Sequence, residues 1–231
     1  MSEALKHSIF QQVFFPETGD LGESTPADDL VLRKVIRYHP DLNLSLKHAP
    51  LVIFDFETTG LDAGQDRIIE VGAVRLEHMK IVDEFSQLIQ PEMSLSQEVI
   101  NITGITDDML AGMPLWTDVL PKFLKFFEGS ILVAHNADFD MGFLRTSCLK
   151  EGYQLEWPAF CTLKMARQAL PQLESKSLDA LAEFYELEFE ARHRSIGDVK
   201  VTTSVLESML EQELADVETW QDAQPFAVTR S

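Results

Sequence analysis

The sequence has few cysteines and no long apolar run. Its two cysteines, Cys148 and Cys161, fit neither a CxxC motif nor another metal-binding spacing. No stretch approaches the ~20 consecutive apolar residues that a membrane-spanning helix needs. Near the N-terminus, SIFQQVFF is short and is interrupted by Gln11 and Gln12, so we expect no secretory signal. These absences favour a reduced, cytoplasmic protein that does not associate with membranes.

Positive charge is also scarce. The 231 residues include 19 Lys and Arg against 38 Asp and Glu, which gives a formal net charge of -19. This balance argues against adhesion to nucleic acid through a broad basic surface. A nucleic-acid substrate that is gripped locally, through bound divalent cations, remains compatible with it. A hydrophobic content of 45% is ordinary for a globular protein, and we find no internal repeat.

The chain divides into three parts. These are an N-terminal extension with short helices at 1–49, a main domain at 50–213 and a C-terminal tail at 214–231. In the extension, SEALKHSIFQQVFF and DDLVLRKVIRYHP have the apolar spacing of amphipathic helices, and we expect them to pack onto the main domain. The tail segment ETWQDAQPFAVTRS is predicted to be frayed, as chain ends commonly are.

In the main domain, strands come first and helices later. Strands are predicted at 50–57, 67–76, 81–90 and 131–134, with a short extended piece at 159–161. Helices are predicted near 116–128, 138–151, 162–169, 177–186 and 196–213. The short turns between the first three strands suit antiparallel neighbours. This order predicts an α/β fold with a sheet flanked by helices.

The stretch LVIFDFETTGLD presents two acids at the end of an otherwise apolar strand. Because strand side chains alternate between faces, Asp55 and Glu57 share one face. Phe54 and Phe56 point to the other face, where they can anchor the strand in a core. A lone DxE occurs often by chance, and its acids could simply meet solvent at the strand end.

Two later segments add further candidates. In ILVAHNADFDMGFL, a buried strand runs into a polar turn, and Asp140 falls in the first turn of the next helix. Acids at that place are favoured by the helix dipole, which alone would account for Asp138 and Asp140. In ARHRSIGDVKVTTSVL, we place His193 in a loop and Asp198 inside the helix that follows.

The three segments supply four carboxylates: Asp55, Glu57, Asp140 and Asp198. Two carboxylates ~4 Å apart repel by roughly 4 kcal/mol at an effective dielectric of about 20, so a cluster of four requires protons or cations. Oxygen-only ligands select hard ions such as Mg²⁺ or Mn²⁺, and a pair of such ions promotes in-line phosphoryl displacement. A nearby His193 could take the proton from an attacking water, since an unperturbed imidazole has a pKa of ~6.5.

The motifs FDFETTGLD, HNADFDMGFL and HRSIGD resemble, in chain order, the three exonuclease motifs of the DEDDh family. The resemblance runs from about residue 50 to 210 and includes linking segments such as RIIEVGAV, INITGIT and SLDALAEFYEL. It implies a ribonuclease-H-like mixed sheet, with three antiparallel strands plus parallel strands, flanked by helices. It also implies removal of nucleotides from a 3′ end with two Mg²⁺ or Mn²⁺ ions.

The resemblance also implies roles for individual residues. Asp55, Glu57, Asp140 and Asp198 become metal ligands and His193 the general base. The residues that would contact the substrate are Thr58, Leu61, Ile102, Thr103 and Asn136. Thr58 would hold the 3′ hydroxyl through its backbone, and Leu61 would wedge against the terminal bases. Ile102 and Thr103 would line the pocket for the last nucleotide, although relatives often carry histidine where Thr103 stands.

The expected activity is metal-dependent 3′→5′ hydrolysis of DNA to nucleoside 5′-monophosphates, in proofreading or repair. Single-stranded DNA ends are the expected substrate, and proofreading would require a DNA polymerase as partner. The alternative is a 3′→5′ exonuclease of RNA, because no residue decides between the two sugars. A third possibility is a binding module that kept the fold, against which the intact set of four acids and His193 argues.

Overall fold

The computed structural model describes residues 34–189 and 192–228. A central sheet of five strands has the order β4-β3-β2-β5-β7, and β1 and β6 form a separate pair. The strands are β1 (Lys34–Arg37), β2 (Leu51–Thr58), β3 (Ile68–Glu77), β4 (Lys80–Leu88), β5 (Ile131–Ala134), β6 (Tyr153–Glu156) and β7 (Ala159–Cys161). Strands β4, β3 and β2 are antiparallel neighbours, whereas β5 and β7 continue the sheet in parallel. The predicted mixed sheet is confirmed.

Helices lie on both faces of the central sheet. They are α1 (Gln97–Thr103), α2 (Asp107–Leu110), α3 (Trp116–Phe126), α4 (Ala137–Lys150), α5 (Thr162–Ala169), α6 (Leu178–Phe184) and α7 (Ser195–Gln212), followed by a 3₁₀ turn at Gln224–Phe226. Side-chain oxygens of Ser96, Thr106 and Ser177 accept backbone N–H groups at the starts of α1, α2 and α6. These caps explain why the three short helices begin at those residues.

Two hydrophobic clusters share strand β2, one on each face of the sheet. Val52 and Phe54 pack with residues of α3 and α4, such as Phe123. Leu51 and Ile53 pack on the opposite face with residues of α5, α6 and α7. The alternation expected of a strand therefore anchors β2 on both sides. Its last polar side chains emerge on the face that α7 covers.

Helix α7 crosses β2 and β3 at very short range, and Gly72 makes this possible. A Cβ atom on Gly72 would lie 2.5 Å from both the Ile196 nitrogen and the Ser195 carbonyl carbon. Real Cβ contacts are essentially never that close, so any side chain at this position would push α7 away from the sheet. The lack of a side chain at Gly72 thus determines how closely the first turn of α7 approaches β3.

The helix predicted over DDLVLRKVIRYHP is wrong where the structure describes it, because Lys34–Arg37 form strand β1, parallel to β6. The β-branched pair Val35–Ile36 suits a strand, and pairing with β6 overrode the four-residue spacing of the apolar residues. The preceding helix, predicted over SEALKHSIFQQVFF, lies outside the described residues. The division into parts at 1–49, 50–213 and 214–231 remains a prediction.

The frayed tail is also a wrong prediction for residues up to 228. Leu214, Trp220 and Phe226 are buried against the α7 side of the core. The backbone N–H of Trp220 donates to the Leu44 carbonyl, which connects the tail to the segment before β2. Apolar residues spaced through the tail explain this burial, because each one covers part of the core beside α5 and α7.

Among the described residues, every helix is too short or too polar to cross a membrane.

Candidate active site

The site begins at the end of β2, where Asp55 and Glu57 emerge on the α7 face. Asp55 lies opposite Gly72 and Glu57 lies opposite Glu70 on β3. The strand register shifts after Glu57, and the side chain of Thr58 then donates to the Gly60 carbonyl over 2.6 Å. Paired along its length and anchored by phenylalanines, β2 holds its two acids on a rigid support. Phe54 and Phe56 lie in the core, as the alternation predicted.

Asp140 comes from the first turn of α4. The turn before α4 passes through Asn136, whose φ of 61° lies in the left-handed region that asparagine tolerates. Cys161 accepts the Ala137 N–H at the start of the helix. Asp140 is buried and accepts a hydrogen bond from the Phe56 backbone N–H over 3.1 Å. This bond fixes the start of α4 to the acidic end of β2.

Asp198 comes from the first turns of α7, and His193 lies in the loop before it. His193 has a φ of 57°, a left-handed conformation that costs energy in a residue other than glycine. The backbone of His193 hydrogen-bonds to the Asp198 side chain. The placement predicted from the sequence, a loop histidine and a helical aspartate, matches the structure.

The structure brings three of the predicted carboxylates together. Ligand oxygens of Asp55, Glu57 and Asp198 all lie within 4.8 Å of one another. Asp140 lies next to this group, and its charge raises the pKa of Asp55. Oδ1 of Asp198 is buried and has no hydrogen-bond partner among the described residues. A donor set made only of carboxylate oxygens, with one of them buried and unsatisfied, fits a hard divalent cation.

Burial raises the pKa values of all four acids, and repulsion from neighbouring acids adds to the rise for Asp55 and Glu57. Burial is the largest cause for each of them, and it raises the pKa of Glu57 to about 8 and that of Asp140 to about 7. The pKa of Asp55 rises well above its ordinary value for the same reason, with further repulsion from the neighbouring acids. Burial also raises the pKa of Asp198, although Arg192 and His193 oppose the rise. The positive charge near the cluster is therefore too small to offset the burial of its acids.

Arg192 supplies the nearest positive charge. Its Nη1 donates to Oδ2 of Asp198 over 2.7 Å, and its Nη2 donates to Asp179 on α6 over 2.9 Å. Arg192 therefore links the loop before α7 to the start of α6. It neutralises one oxygen of Asp198 and leaves the other unpaired.

Another buried acid, Glu70, lies outside the three sequence motifs. Its carboxylate is 1% exposed and accepts hydrogen bonds from Nε and Nη2 of Arg194, and from the Ser195 backbone N–H over 2.9 Å. This arrangement holds the first turn of α7 against β3. The signal in the sequence was a lone acid inside the apolar run RIIEVGAV. Arg194, which could equally have been a solvated surface charge, is part of this pair.

The predicted substrate-contacting residues surround the carboxylates in different ways. Leu61 is 86% exposed in the loop after β2, and Ile102 on α1 is 51% exposed. Thr103 is buried, and its hydroxyl donates to the Val99 carbonyl, which occupies its donor within α1. Asn136 is exposed and makes no side-chain capping bond to α4. Their contacts with a substrate remain predictions.

Comparison with known proteins identifies the family. Residues 52–206 match the RNase T family, described as exonuclease. A PolC-type DNA polymerase III from Caldanaerobacter subterraneus subsp. tengcongensis is 42% identical over 161 residues, covering 70% of this chain and 12% of the relative. The PolC-type DNA polymerase III from Thermotoga maritima is 45% identical over 159 residues, covering 68% of this chain and 12% of the relative. This chain thus spans about an eighth of the length of these polymerases.

A solved structure agrees with the family match. Exonuclease X in complex with 5′ overhanging duplex DNA superposes with a TM-score of 0.63 at 29% identity, covering 76% of this chain and 99% of that one. The motif order, the mixed sheet and the match over most of the domain all agree. This chain belongs to the RNase T exonuclease family, a family of phosphodiester-hydrolysing enzymes, and carries DEDDh-type motifs on a ribonuclease-H-like fold.

Proposed function

We propose that this protein is a metal-dependent exonuclease that removes nucleotides from the 3′ end of DNA. The observation that carries the proposal is the convergence of Asp55, Glu57 and Asp198 within 4.8 Å, with a buried, unpaired oxygen on Asp198. Such a cluster is electrostatically unfavourable until cations enter it. The products would be nucleoside 5′-monophosphates, with water as the nucleophile.

Two Mg²⁺ or Mn²⁺ ions are the proposed cofactors, held by Asp55, Glu57 and Asp198, with Asp140 as the remaining ligand. When bound, such ions polarise the scissile phosphate and lower the pKa of a bound water. The protein contributes a rigid arrangement of acids on β2, α4 and α7. Its anchors are Phe54 and Phe56 in the core and the Phe56 N–H bonded to Asp140. These anchors keep the acids from turning away from one another.

His193 is the proposed general base. It lies in the loop directly before α7 and is only partly buried, so an attacking water can reach it. Its left-handed backbone is a local cost of the kind that functional positions often carry. In the proposed reaction, imidazole takes the proton of the water as the oxygen attacks the phosphorus, and the 3′ oxygen of the upstream nucleotide leaves.

The proposed pocket for the terminal nucleotide lies between the loop after β2 and helix α1. Thr58 would bind the 3′ hydroxyl through its backbone, and the exposed Leu61 would pack against the terminal bases. Ile102 would contribute an apolar wall with Thr103 beside it, and Asn136 would contact the strand from the other side. The Leu61 side chain is 86% exposed and is therefore accessible to a terminal base.

DNA is favoured over RNA because the polymerases that match this chain are named as DNA polymerases, and the solved Exonuclease X was bound to DNA. We extend the proposal to the cellular setting: the domain would act in the cytoplasm, beside a DNA polymerase, and would trim single-stranded primer ends. RNA trimming is the competing activity.

Matched DNA and RNA oligonucleotides of ten nucleotides, labelled at the 5′ end, test the proposal directly. With Mg²⁺ or Mn²⁺ we expect a ladder of DNA products shortened from the 3′ end, and slower cleavage of RNA. A strong preference for RNA would reject the DNA assignment. Absence of cleavage of either polymer with Mn²⁺ would reject the nuclease function altogether and favour a binding module.

Substitution of the base gives a second test. His193→Ala should lower kcat by ~10²–10⁴-fold, the usual contribution of a general base, with Mn²⁺ binding retained. His39→Ala is the matched control, because His39 is exposed and precedes the main domain. Near-normal turnover of His193→Ala would require another base.

A further inference from the structure

A groove of about 720 Å³ lies at the end of β5. One wall is the turn between β5 and α4, with His135 and Asn136. The other wall combines α5, which carries Arg167, with the segment 174–177 before α6. Neither the motifs nor the proposed pocket for the terminal nucleotide uses this second wall.

Strand register locates the groove relative to the acids. Ile53 of β2 pairs with Val133 of β5; Asp55 lies two residues after Ile53, and His135 lies two residues after Val133, in the turn where β5 ends. Because adjacent strands are about 4.8 Å apart, the groove lies near the acidic end of β2. It lies on the side of β5 and β7.

The proposed pocket for the terminal nucleotide lies on the opposite side of the acids. Helix α1, which carries Ile102, packs with Ile69 of β3 and Leu88 of β4. The sheet order β4-β3-β2-β5-β7 therefore places the acids of β2 between α1 and the groove. A strand whose last nucleotide rests near Ile102 and whose scissile phosphate meets the acids would continue toward the groove.

The charges in the groove suit a phosphate backbone. Arg167 is exposed and makes no hydrogen bond or ion pair with another described residue. Lys176 donates to the Leu173 carbonyl and keeps two further N–H donors. Glu174 is the acid among the lining residues. In a chain of net charge -19, an exposed arginine that forms no ion pair with a described carboxylate is a place where a polyanion can bind.

His135 holds the two walls together. Its Nδ1 lies 3.0 Å from Oγ1 of Thr162, and it also hydrogen-bonds to the backbone of Lys176. Burial lowers the pKa of His135 to about 4, so the ring is neutral near pH 7. The positive charge of the groove therefore comes from Arg167 and Lys176, while His135 fixes the shape of the groove.

We propose that this groove binds the sugar–phosphate backbone of the substrate strand on the 5′ side of the scissile phosphate, with phosphates at Arg167 and Lys176. The proposal rests on the proposed exonuclease function and extends it to the path of the strand. Activity then depends on strand length, because a two-nucleotide substrate ends before the groove and a ten-nucleotide substrate occupies it.

The test compares Arg167→Ala/Lys176→Ala with a control pair, Lys47→Ala/Lys122→Ala. The control removes the same charge from two exposed lysines, one ahead of β2 and one on α3, across the sheet from the acids. The first readout is the ratio of kcat/KM for a ten-nucleotide DNA strand to that for a two-nucleotide one. We expect the groove variant to lower this ratio about tenfold, mainly through KM, and the control to leave the ratio within twofold.

Binding without catalysis supplies the second readout. In EDTA, the anisotropy of a labelled ten-nucleotide strand reports affinity as a function of salt. Each phosphate contact on a single strand contributes about 0.7 to the slope of log K against log salt, so losing two should reduce the slope by about 1.4. Arg167→Ala alone, which removes no hydrogen bond, should show about half of this effect even if the double variant folds poorly.

The outcomes separate the two proposals. An unchanged ratio together with an unchanged salt slope, or equal losses in the groove and control variants, would overturn the groove assignment while leaving the nuclease intact. If the wild-type protein cleaves no DNA, the proposed function fails. The anisotropy measurement then still decides whether the groove binds a strand.

Discussion

Glu57 and Glu70 face each other across β2 and β3, yet they have opposite electrostatic surroundings. Glu70 accepts two N–H groups of Arg194 and the backbone N–H of Ser195. Glu57 faces Asp198, Glu70 and Asp140, and burial together with these charges raises its pKa to about 8. Glu70 has a full set of hydrogen-bond partners within the protein, whereas Arg192 offsets only part of the burial and repulsion at Glu57.

Under the proposed function, the difference separates a structural acid, Glu70, from a metal-binding acid, Glu57. A buried charge without a partner is retained only where something outside the chain neutralises it. Glu70 and Arg194 fix the first turn of α7, and that turn delivers Asp198 to Glu57. Glu70, with its hydrogen bonds complete, thus holds the helix that places Asp198 beside Glu57.

The largest effect is expected for Asp55→Asn, which removes a proposed metal ligand that lies beside Glu57. Losing about 4 kcal/mol of transition-state stabilisation corresponds to a fall in kcat/KM of about 10³-fold. The metal-free variant should melt at a higher temperature than wild type, because repulsion within the cluster is reduced. Kinetics with Mn²⁺ and calorimetry in EDTA check both expectations.

The control is Asp138→Asn, an exposed acid in the same first turn of α4 as Asp140. It is paired with Lys164, and its loss should change activity less than threefold. A sharp fall in the metal-free melting temperature of Asp55→Asn would show instead that Asp55 is a structural acid.

Glu70→Gln and Glu57→Gln should have opposite effects on metal-free stability. We expect Glu70→Gln to lower the free energy of unfolding by about 2–3 kcal/mol, because it breaks charge-assisted hydrogen bonds to a buried group. Glu57→Gln should raise it by about 1 kcal/mol, because the buried acid must either take up a proton or bear the repulsion of its neighbours, and glutamine does neither. Urea denaturation in EDTA measures both changes.

Glu84→Gln is the matched control on β4, since its ion pair with Lys200 spans 3.7 Å at the surface. It should change stability by less than ~0.5 kcal/mol. Equal losses for Glu57→Gln and Glu70→Gln would remove the contrast between the two acids.

Gly72→Ala tests whether the depth of α7 matters to the site. The added Cβ would meet the backbone of Ser195 and Ile196 at 2.5 Å, and overpacking of this kind costs about 1–3 kcal/mol. Displacing α7 moves Asp198 away from Asp55, so Mn²⁺ affinity should fall together with stability. Titration of Mn²⁺ by calorimetry detects the change.

Gly142→Ala is a control that should raise stability, whereas Gly72→Ala should lower it. Gly142 lies within α4, and a Cβ there meets nothing within 4 Å, so alanine should stabilise the helix by about 0.5–1 kcal/mol. Unaltered Mn²⁺ affinity in Gly72→Ala would mean that the approach of α7 does not set the ligand geometry.

A pH dependence of metal-free stability is also expected. The pKa of Glu57 rises from 4.5 to about 8 and that of Asp140 from 3.8 to about 7 on folding. Between about pH 4 and pH 8 the folded state binds more protons than the unfolded state, so the free energy of unfolding falls as pH rises. We expect a loss of about 3–6 kcal/mol between pH 5 and pH 8 in EDTA, because a difference of one in pKa corresponds to about 1.4 kcal/mol.

The same pH series on Glu57→Gln isolates the cluster from histidines elsewhere in the chain. Its stability should fall less between pH 5 and pH 8 than that of wild type. A wild-type protein that gains stability across this interval would contradict the raised pKa values.

Much of the fold followed from local patterns. The strands at 50–57 and 131–134 were readable as apolar runs, and the alternation in β2 placed Asp55 and Glu57 on one face. Strand β1 was misread because its apolar spacing also fits a helix, and pairing with β6 decided between them. The prediction of a frayed tail is wrong because the tail is buried against segments that are distant in the sequence.

Local sequence patterns do not predict which charged side chains pair with one another. Arg194 and Glu70 are 124 residues apart, and nothing near either of them in the chain indicates the pair. Arg192 likewise could have been a solvated charge, and only the position of α6 brings Asp179 to it.

The sequence by itself determined the kinds of elements, their order and the residue types available for metal binding, because these depend on side chains a few positions apart. Tertiary structure decided which acids are neutralised and which remain unsatisfied. The physical reason is that electrostatic energy depends on distance through space and on burial. The close approach of α7 to β3 sets both for Glu70, Asp198 and Glu57.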